Sequence, residues 1–408
     1  MNGENLQWGD IHNHNEIGVG QGSLERSYAI ARASLDFYAL TVHGWWPDAD
    51  ENDPELIEYH LKGFHRADQD WPRVVAEANE VNKDGRFTAL IAYEWHSRSW
   101  GDYCIYFPDH QGTLYRADSL DDLKQFAREN GCLMLPHHGA YKAGWRGVDW
   151  GSADTGLSPT TEIFSEHGNS LEPISHLGLY RHSMGGAHSS QTVLEQLKRG
   201  AVLGFTGGTD DHYGFPGNYG EGLTGLYTEE LSRAGVFAAL KKRHCYAVTG
   251  DRIELSVRLG SGIMGDILPA ATERVLQVDM ESREDIDYLE IVKNGVSQEK
   301  WSGPNLRASS PDNLLRIEWG WDGMKSQAVT RWEITISAER GRVTKVEPCF
   351  CGGPDTAGIT DTMELTDSGK VIIASHSVQV SFSKGVGEEI PERGFAPSNC
   401  TLIYGLFY

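Results

Sequence analysis

The chain has 408 residues, of which 39% are hydrophobic, so it is long enough to bury a large core and to form two or three domains. Its formal net charge is -22 at pH 7. This charge argues against binding to DNA or RNA, because proteins neutralise the phosphate backbone with Lys and Arg. The sequence therefore predicts no nucleic-acid partner. A small anionic substrate stays possible, since bound cations reverse the local potential of a site.

The sequence shows no targeting or membrane segment. The first residues, MNGENLQWGDIHNHN, lack a basic stretch followed by an apolar run, and no segment approaches the roughly 20 apolar residues of a membrane span. The 6 cysteines are too few for a disulfide framework. Cys349 and Cys351 lack a second Cys or His pair nearby, which favours a structural role over metal binding. We therefore expect a cytoplasmic protein with reduced thiols and no membrane partner, and the oligomeric state stays open.

Residues 1–250 alternate short apolar runs with segments of helical period, which is typical of βα units. The predicted strands are, in chain order, LQWGDIH, FYALTVH, FTALIAYEW, CLMLPHH, TEIFSEH and AVLGFTGG. The predicted helices cover residues 24–34, 54–82 with a break at Trp71 and Pro72, 120–130, 191–199 and 229–243. The glycine-rich residues 217–225 are predicted to form a mobile flap. The alternation predicts an α/β fold of the β/α barrel type for this part of the chain.

The pattern changes after residue 250. Runs such as IELSVRL, VLQVDM, RWEITISA and VIIASHSVQVSF alternate apolar and polar residues between Gly, Asn and Pro turns. Such alternation is typical of strands that are buried on one face. We therefore predict two domains, a β/α barrel over residues 1–250 and an all-β, sandwich-like domain over residues 251–408.

Polar groups that bind metals follow the predicted strands at their ends. In a β/α barrel the carboxyl ends of the strands meet at one face, so these groups are expected to share one centre. The mixture of imidazole and carboxylate suits manganese, zinc or iron, and it is too large for one tetrahedral ion. The candidate ligands at the strand ends are His12, His14, His43, Glu94, His137, His138, His167, Asp210 and His212.

The ordered motifs GDIHNH, PHHGAY, EIFSEHGNSLEP, GGTDDHYGFPG and KKRHCYAVTGDRIEL resemble the PHP (polymerase and histidinol phosphatase) superfamily, and most closely a branch described only as a domain of unknown function. The resemblance covers roughly residues 6 to 265. It implies a distorted (β/α)7 TIM-like barrel that holds two or three divalent metal ions and hydrolyses phosphate esters. It also implies the metal ligands, with Glu94 bridging the metals: His12, His14, His43, Glu94, His137, His167, Asp210 and His212. Two departures leave the metal count open: Val42 stands where many relatives have Asp, and residues 15–21 lack the family's further His.

Two cations that share a hydroxide can present it in line with a scissile P–O bond. Four further residues are candidates for the catalytic machinery. His138, Glu166 and Asp211 adjoin predicted ligands and are candidate proton donors, and Arg98 is a candidate phosphate-binding residue, like Arg146, Arg181 and Arg252. Asp10 is expected to hold the ring of His12 in one tautomer.

The sequence thus predicts a metal-dependent hydrolase, and first of all a phosphoesterase acting on a small organic phosphate mono- or diester. A lactonase- or amidohydrolase-like enzyme with the same metal site is an alternative, because an activated hydroxide does not choose its electrophile. A non-catalytic metal- or glycan-binding protein is a second alternative.

Overall fold

The computed structural model describes residues 5–49, 54–173, 175, 177–179, 186–282 and 286–302, together with the backbone of six later strands. Arg181 and Cys351 therefore lie outside the described residues, and Cys349 is described by its backbone alone. No helix within these residues combines the length and the apolar character needed to cross a membrane.

Up to residue 250 the chain forms helices and two sheets. The helices are α1 (Leu24–Ser34), α2 (Pro54–Val81), α3 (Leu120–Asn130), α4 (Val193–Lys198) and α5 (Arg233–Lys242). The seven-stranded sheet contains β1 (Asn5–Asp10), β2 (Phe37–Trp45), β3 (Thr88–Trp95), β4 (Tyr103–Tyr106), β5 (Leu133–Pro136), β9 (Leu223–Thr228) and β10 (Cys245–Val248). The three-stranded sheet contains β6 (Thr160–Ser165), β7 (Gly168–Asn169) and β8 (Gly204–Gly207).

The order of the seven-stranded sheet is β10-β9-β1-β2-β3-β4-β5. Strands β1, β2 and β3 are parallel neighbours, whereas β4 is antiparallel to both β3 and β5. Strand β5 consequently runs in the same direction as β1, β2 and β3. The carboxyl ends of these four strands therefore lie at the same edge of the sheet.

Both faces of this sheet are buried. On one face, Tyr38 and Leu40 of β2 belong to a large core cluster with side chains of α1, α2 and α3. On the other face, Phe37 and Ala39 pack with Leu90 of β3 and with apolar side chains of α5. Side chains alternate along a strand, so polar residues at the strand ends point to this second face when they share the alternation of its apolar residues.

The predicted α/β class is confirmed, with differences in detail. Each of the six predicted strands overlaps an observed strand, but β4, β7, β9 and β10 were not predicted, and the seven-stranded sheet is mixed rather than a regular parallel repeat. Strand β9 begins at Leu223, so the end of the predicted flap is a strand. The predicted break in α2 is wrong, because the helix continues through Pro72. Trp71 anchors it there by donating from Nε1 to the carbonyl oxygen of Gly112 at 2.9 Å.

The described elements after Val248 are all strands, which pair antiparallel in four sheets. They are β11 (Glu254–Leu259), β12 (Gly262–Ile263), β13 (Leu276–Glu281), β14 (Leu289–Lys293), β15 (Val296–Trp301), β16 (Leu314–Trp319), β17 (Thr330–Thr335), β18 (Arg342–Cys349), β19 (Thr362–Leu365), β20 (Lys370–Ser375) and β21 (Val378–Gly385). The sheet orders are β12-β11-β13, β14-β15, β16-β21-β18 and β17-β20-β19. The sandwich and the boundary at residue 250 stay predictions.

Strand β11 packs against the α/β part. Leu255 and Val257 belong to the same core cluster as Tyr227 and Tyr246. The hydroxyl of Tyr227 donates to the carbonyl oxygen of Leu255, and that of Tyr246 to the carbonyl oxygen of Ile253, each at 2.9 Å. The first strand after the predicted boundary therefore shares its core with the part of the chain that carries the candidate metal ligands.

Candidate metal centre

The second face of the seven-stranded sheet leads into the candidate site. In β2, Phe37 and Ala39 alternate on the same side as His43, and in β3 Leu90 lies on the same side as Glu94. His43 and Glu94 are direct partners in the parallel register. On this face the apolar side chains belong to the core, and the polar side chains lie at the carboxyl ends of the same strands. We call the eight predicted ligands, which meet here, the central cluster.

Four other chain segments complete the central cluster. His12 and His14 follow β1, His137 follows β5, His167 follows β6, and Asp210 and His212 follow β8. The loop after β8 approaches closely because Gly208 has no side chain: a Cβ there would lie 2.5 Å from the Cβ of His12. A backbone hydrogen bond of 2.7 Å from the amide of Asp210 to the carbonyl oxygen of His12 joins the two segments.

Glu94 contacts imidazoles from three other segments. Its Oε1 lies 2.7 Å from Nε2 of His137, and its Oε2 lies 3.1 Å from Nε2 of His43 and 3.5 Å from Nε2 of His14. The carboxylate is 1% exposed. A carboxylate placed between several imidazoles has the geometry of a ligand that bridges two cations.

Asp210 has the same arrangement on the opposite side of His12 and His14. Its Oδ1 lies 2.9 Å from Nε2 of His14 and 3.4 Å from Nε2 of His12, and its Oδ2 lies 3.1 Å from Nε2 of His167. Asp210 has a φ of 55°, a left-handed conformation that is unfavourable for a residue with a side chain. The backbone is thus held in a strained shape that keeps this carboxylate in the site.

The donor atoms fit divalent cations better than they fit one another. Nε2 of His12 lies only 3.2 Å from Nε2 of His14, so two ring nitrogens face each other in a buried site. Among the described residues, Glu94 Oε2 and Asp210 Oδ2 lie near imidazole nitrogens without a well-directed hydrogen bond, and His137 Nδ1 is buried without a hydrogen-bond partner. Buried polar atoms without partners are costly, and a bound cation would satisfy them.

The electrostatics of four ligands favour the protonation states that metal binding needs. Burial raises the pKa of Glu94 and of Asp210, but the surrounding histidines outweigh it and hold each pKa well below its usual range. Burial lowers the pKa of His14 to about 3 and that of His43 well below its ordinary value. These four side chains therefore present ionised carboxylates and neutral imidazoles at neutral pH. For His12 and His212, burial lowers the pKa, but neighbouring carboxylates outweigh it and raise the pKa.

Two partners of the ligands were not predicted. Oε2 of Glu162 lies 3.0 Å from Nδ1 of His12, and the hydroxyl of Tyr141 lies 3.0 Å from Nδ1 of His167. Each contact fixes the ring so that its Nε2 points into the cluster. Glu162 is separated from the histidine after its strand by four residues, so only the alternation within β6 indicates that it faces the centre.

The predicted role of Asp10 as the partner of the His12 ring is wrong. Its oxygens instead accept hydrogen bonds from the hydroxyl of Thr209 at 2.6 Å and from the amide of Gly217 at 3.0 Å. Asp10 also accepts from the backbone amide of His12, at 3.2 Å. It therefore positions the loops around the cluster through the backbone.

A second group of buried polar side chains lies beside Glu94. We call it the Asp102 flank, and it comprises His96, Asp102, His138 and Arg146. Oδ2 of Asp102 lies 3.0 Å from Nδ1 of His96 and 3.3 Å from Nε2 of His138, and it accepts from Nε of Arg146 at 2.8 Å. The Asp102 carboxylate is the link between these residues. His96 shares the alternation of Glu94, which is the sequence feature that could have indicated it.

The predicted catalytic residues lie in different environments. Glu166 is about one-third exposed, and its Oε1 lies 3.2 Å from Nδ1 of His212. His138 is buried in the Asp102 flank, and Asp211 is buried with Oδ1 accepting from the amides of Tyr213 and Phe215.

The predicted arginines also lie in different places. The Arg98 guanidinium lies 4.1 Å from the centre of the Trp145 ring. That of Arg252 donates to the carbonyl oxygen of Ser34. Of the predicted arginines that the structure describes, Arg146 is the one whose guanidinium lies in the Asp102 flank, where it contacts His96 and Asp102.

A family described as a protein of unknown function (DUF3604) matches residues 47–104. An uncharacterized protein of Chlamydia muridarum is 25% identical over 315 residues, and one of Chlamydia pneumoniae is 24% identical over 317 residues. Each alignment covers 71% of this chain and 48% of the relative. The chain therefore spans about half the length of the curated relatives it matches.

Two solved structures are also similar. A two-domain protein from Bacteroides vulgatus, described as containing a predicted PHP-like metal-dependent phosphoesterase, aligns with 74% of this chain and 96% of its own, with a TM-score of 0.36 and 13% identity. Endonuclease Q, in complex with a 27-mer duplex substrate with an abasic lesion, aligns with 58% of this chain and 56% of its own, with a TM-score of 0.35 and 9% identity.

One prediction about partners needs a correction, because the structure of Endonuclease Q holds duplex DNA. This finding overturns the prediction that nucleic acid is excluded as a partner. The reason is that a net charge of -22 describes the whole surface, whereas bound cations set the potential of the site itself. The predicted resemblance is confirmed as a likeness: one similar structure is described as containing a predicted PHP-like metal-dependent phosphoesterase, and residues 47–104 match the family of unknown function DUF3604.

Proposed function

We propose that the protein is a metal-dependent phosphoesterase that hydrolyses a small organic phosphate mono- or diester. Two or three ions of manganese, zinc or iron would be held by the central cluster. One observation carries the proposal: two buried carboxylates, Glu94 and Asp210, each lie between imidazoles that come from different strand ends. Divalent cations in such a site supply Lewis acidity toward a phosphoryl oxygen and lower the pKa of water.

The residues at the edge of the cluster differ in what they can do with a proton. Glu166 is partly exposed and next to His212, so it can exchange protons with water and with a leaving group. Because His138 and Asp211 are buried, Glu166 is the proton donor that we propose.

The fold supports a barrel as the scaffold of this site. We propose that the two sheets together close into a distorted barrel of the PHP type, since β6 lies beside β5 and β8 beside β10. The hydroxyl of Thr161 in β6 donates to the carbonyl oxygen of Pro136 in β5, at 3.0 Å. The strands after residue 250 would serve as a scaffold or lid.

The proposal is tested by turnover. Protein loaded with manganese, zinc or iron is assayed on aryl phosphates, phosphodiesters, lactones and duplex DNA with an abasic site. We expect turnover of the small phosphate esters, and we expect its loss in Glu94→Gln but not in Glu58→Gln, an exposed glutamate on α2 that serves as the matched control. Turnover of lactones alone would refute the phosphoesterase, and turnover of DNA alone would refute the small substrate.

A further inference from the structure

The guanidinium of Arg146 lies inside the buried polar region, next to Glu94. The side chain is 13% exposed, and both Nε and Nη2 donate to Oδ2 of Asp102. Nη2 also lies 3.1 Å from Nδ1 of His96, whose ring in turn lies 3.3 Å from Oε1 of Glu94. A positive charge therefore stands one imidazole away from the carboxylate proposed to bridge the metals.

The local backbone holds Arg146 in this place. Arg146 has a φ of 65°, and its amide donates to the carbonyl oxygen of Arg98 at 3.0 Å. The turn is tight, since a Cβ on Gly147 would lie 1.9 Å from the carbonyl oxygen of Tyr141. On the outer side, the Trp46 ring centre is 5.1 Å from Cζ of Arg146. The arginine is thus fixed by its backbone, by Asp102 and by an aromatic ring.

Without the arginine, this flank would have the donors of a metal site. The ligand atoms of His43, Glu94 and His96 lie within 4.8 Å of one another, and so do those of Asp102, His137 and His138. The Nε2 atom of His96 and the Nδ1 atom of His138, both in the described part of the chain, are buried without a hydrogen-bond partner. These residue types are common ligands of zinc, manganese and iron.

A guanidinium and a divalent cation are not expected to occupy neighbouring positions in this buried flank. Arginine stays protonated in proteins, so its charge is not removed when a metal approaches. Like charges a few ångströms apart repel strongly where water is excluded. The Asp102 carboxylate is therefore neutralised by the arginine, whereas the groups formed by His12, His14 and Asp210 and by His14, His43 and His212 remain for metal ions.

We propose that Arg146, held by Asp102, is a fixed cation that takes the place of a third metal ion, so that the centre binds two divalent ions per chain. This inference rests on the proposed metal centre and sets its metal count. It assigns Arg146 and Asp102 a role in determining which positions of the centre accept a cation.

The test counts metal ions. Wild-type protein and variants are loaded with excess zinc or manganese and freed of unbound metal, and the bound ions per chain are counted by elemental analysis and native mass spectrometry. We expect two ions in the wild type and in Arg146→Lys, three in Arg146→Met, and two again when Asp102→Asn is added to Arg146→Met. Arg116→Met is the matched control, because Arg116 also pairs with an aspartate, Asp68, and lies over a tryptophan, yet is exposed.

If Arg146→Met does not fold, the wild-type count still tests the inference. One ion or three ions in the wild type would overturn the inference and leave the phosphoesterase proposal standing. A folded Arg146→Met that binds two ions would also overturn it. A wild type that binds no ion would refute the metal centre itself, and with it the proposed function. Circular dichroism of each variant verifies the fold.

Discussion

Glu221 is a partly buried acid in the glycine-rich segment before β9, and its ionisation should make the protein less stable at high pH. Among the described side chains its Oε2 atom is buried without a hydrogen-bond partner. Burial, together with the negative charges of Asp211 and Glu166, raises the pKa of Glu221 from 4.5 to about 8. Below pH 4.5 the carboxyl is protonated in both states. Between 4.5 and about 8 the folded protein keeps a proton that the unfolded chain releases, so stability falls as pH rises.

The size of the effect follows from this shift. At about 1.4 kcal/mol per pKa unit, the difference corresponds to an upper limit of roughly 5 kcal/mol. Because the side chain keeps some contact with water, we expect about 2 to 3 kcal/mol. Glu221→Gln removes the titration, so the variant should melt roughly 4 to 6 °C above the wild type at pH 9 and show no such advantage at pH 4.

Thermal melts of both proteins across this pH range measure the difference. The matched control is Glu229→Gln, because Glu229 is an exposed glutamate directly after β9. This change should not alter the pH dependence. Equal melting temperatures of Glu221→Gln and wild type at pH 9 would show that the carboxyl is ionised at little cost, and the argument from burial would be refuted.

Further changes separate metal binding from folding. Glu94→Gln removes the shared carboxylate and should weaken metal binding at least 100-fold, measured by calorimetry; unchanged affinity would rule out Glu94 as a ligand. Glu162→Gln weakens the hold on the His12 ring and should lower metal affinity roughly 10- to 100-fold while the fold stays intact, so a loss of structure without a change in affinity would contradict it. Leu123→Ala in α3, which is fully buried, should cost about 3 kcal/mol in denaturant unfolding and leave the metal count unchanged.

The sequence predicted the polar residues at the strand ends better than it predicted which side chains contact them. His43, Glu94 and His137 end apolar runs, and alternation alone places them on one face of the sheet. Glu162 and Asp102 lie within or between motifs, and their partners His12 and Arg146 come from segments far away in the chain. Contacts between distant segments are set by the packing of the whole sheet, which no local pattern contains.

The same limit explains the strands that were missed. Strand β4 has four residues and follows a turn, and β9 overlaps a glycine-rich segment, so neither shows a long apolar run. Both are strands because they pair with neighbours already in the sheet: β4 with β3 and β5, and β9 with β1 and β10. Tertiary pairing overrides weak local preference in such short elements.

The two tyrosine hydroxyls that hold β11 bear on how this molecule can be divided. A cut after Arg252 would remove Leu255 and Val257 from a core they share with Tyr227 and Tyr246, and it would leave both hydroxyls without their carbonyl acceptors. Strand β13 pairs along the whole of β11 and would leave it with an unpaired edge if removed. A shortened chain that is meant to keep its metal centre should therefore extend at least through Glu281, and recombination with other catalytic modules should succeed only beyond that residue.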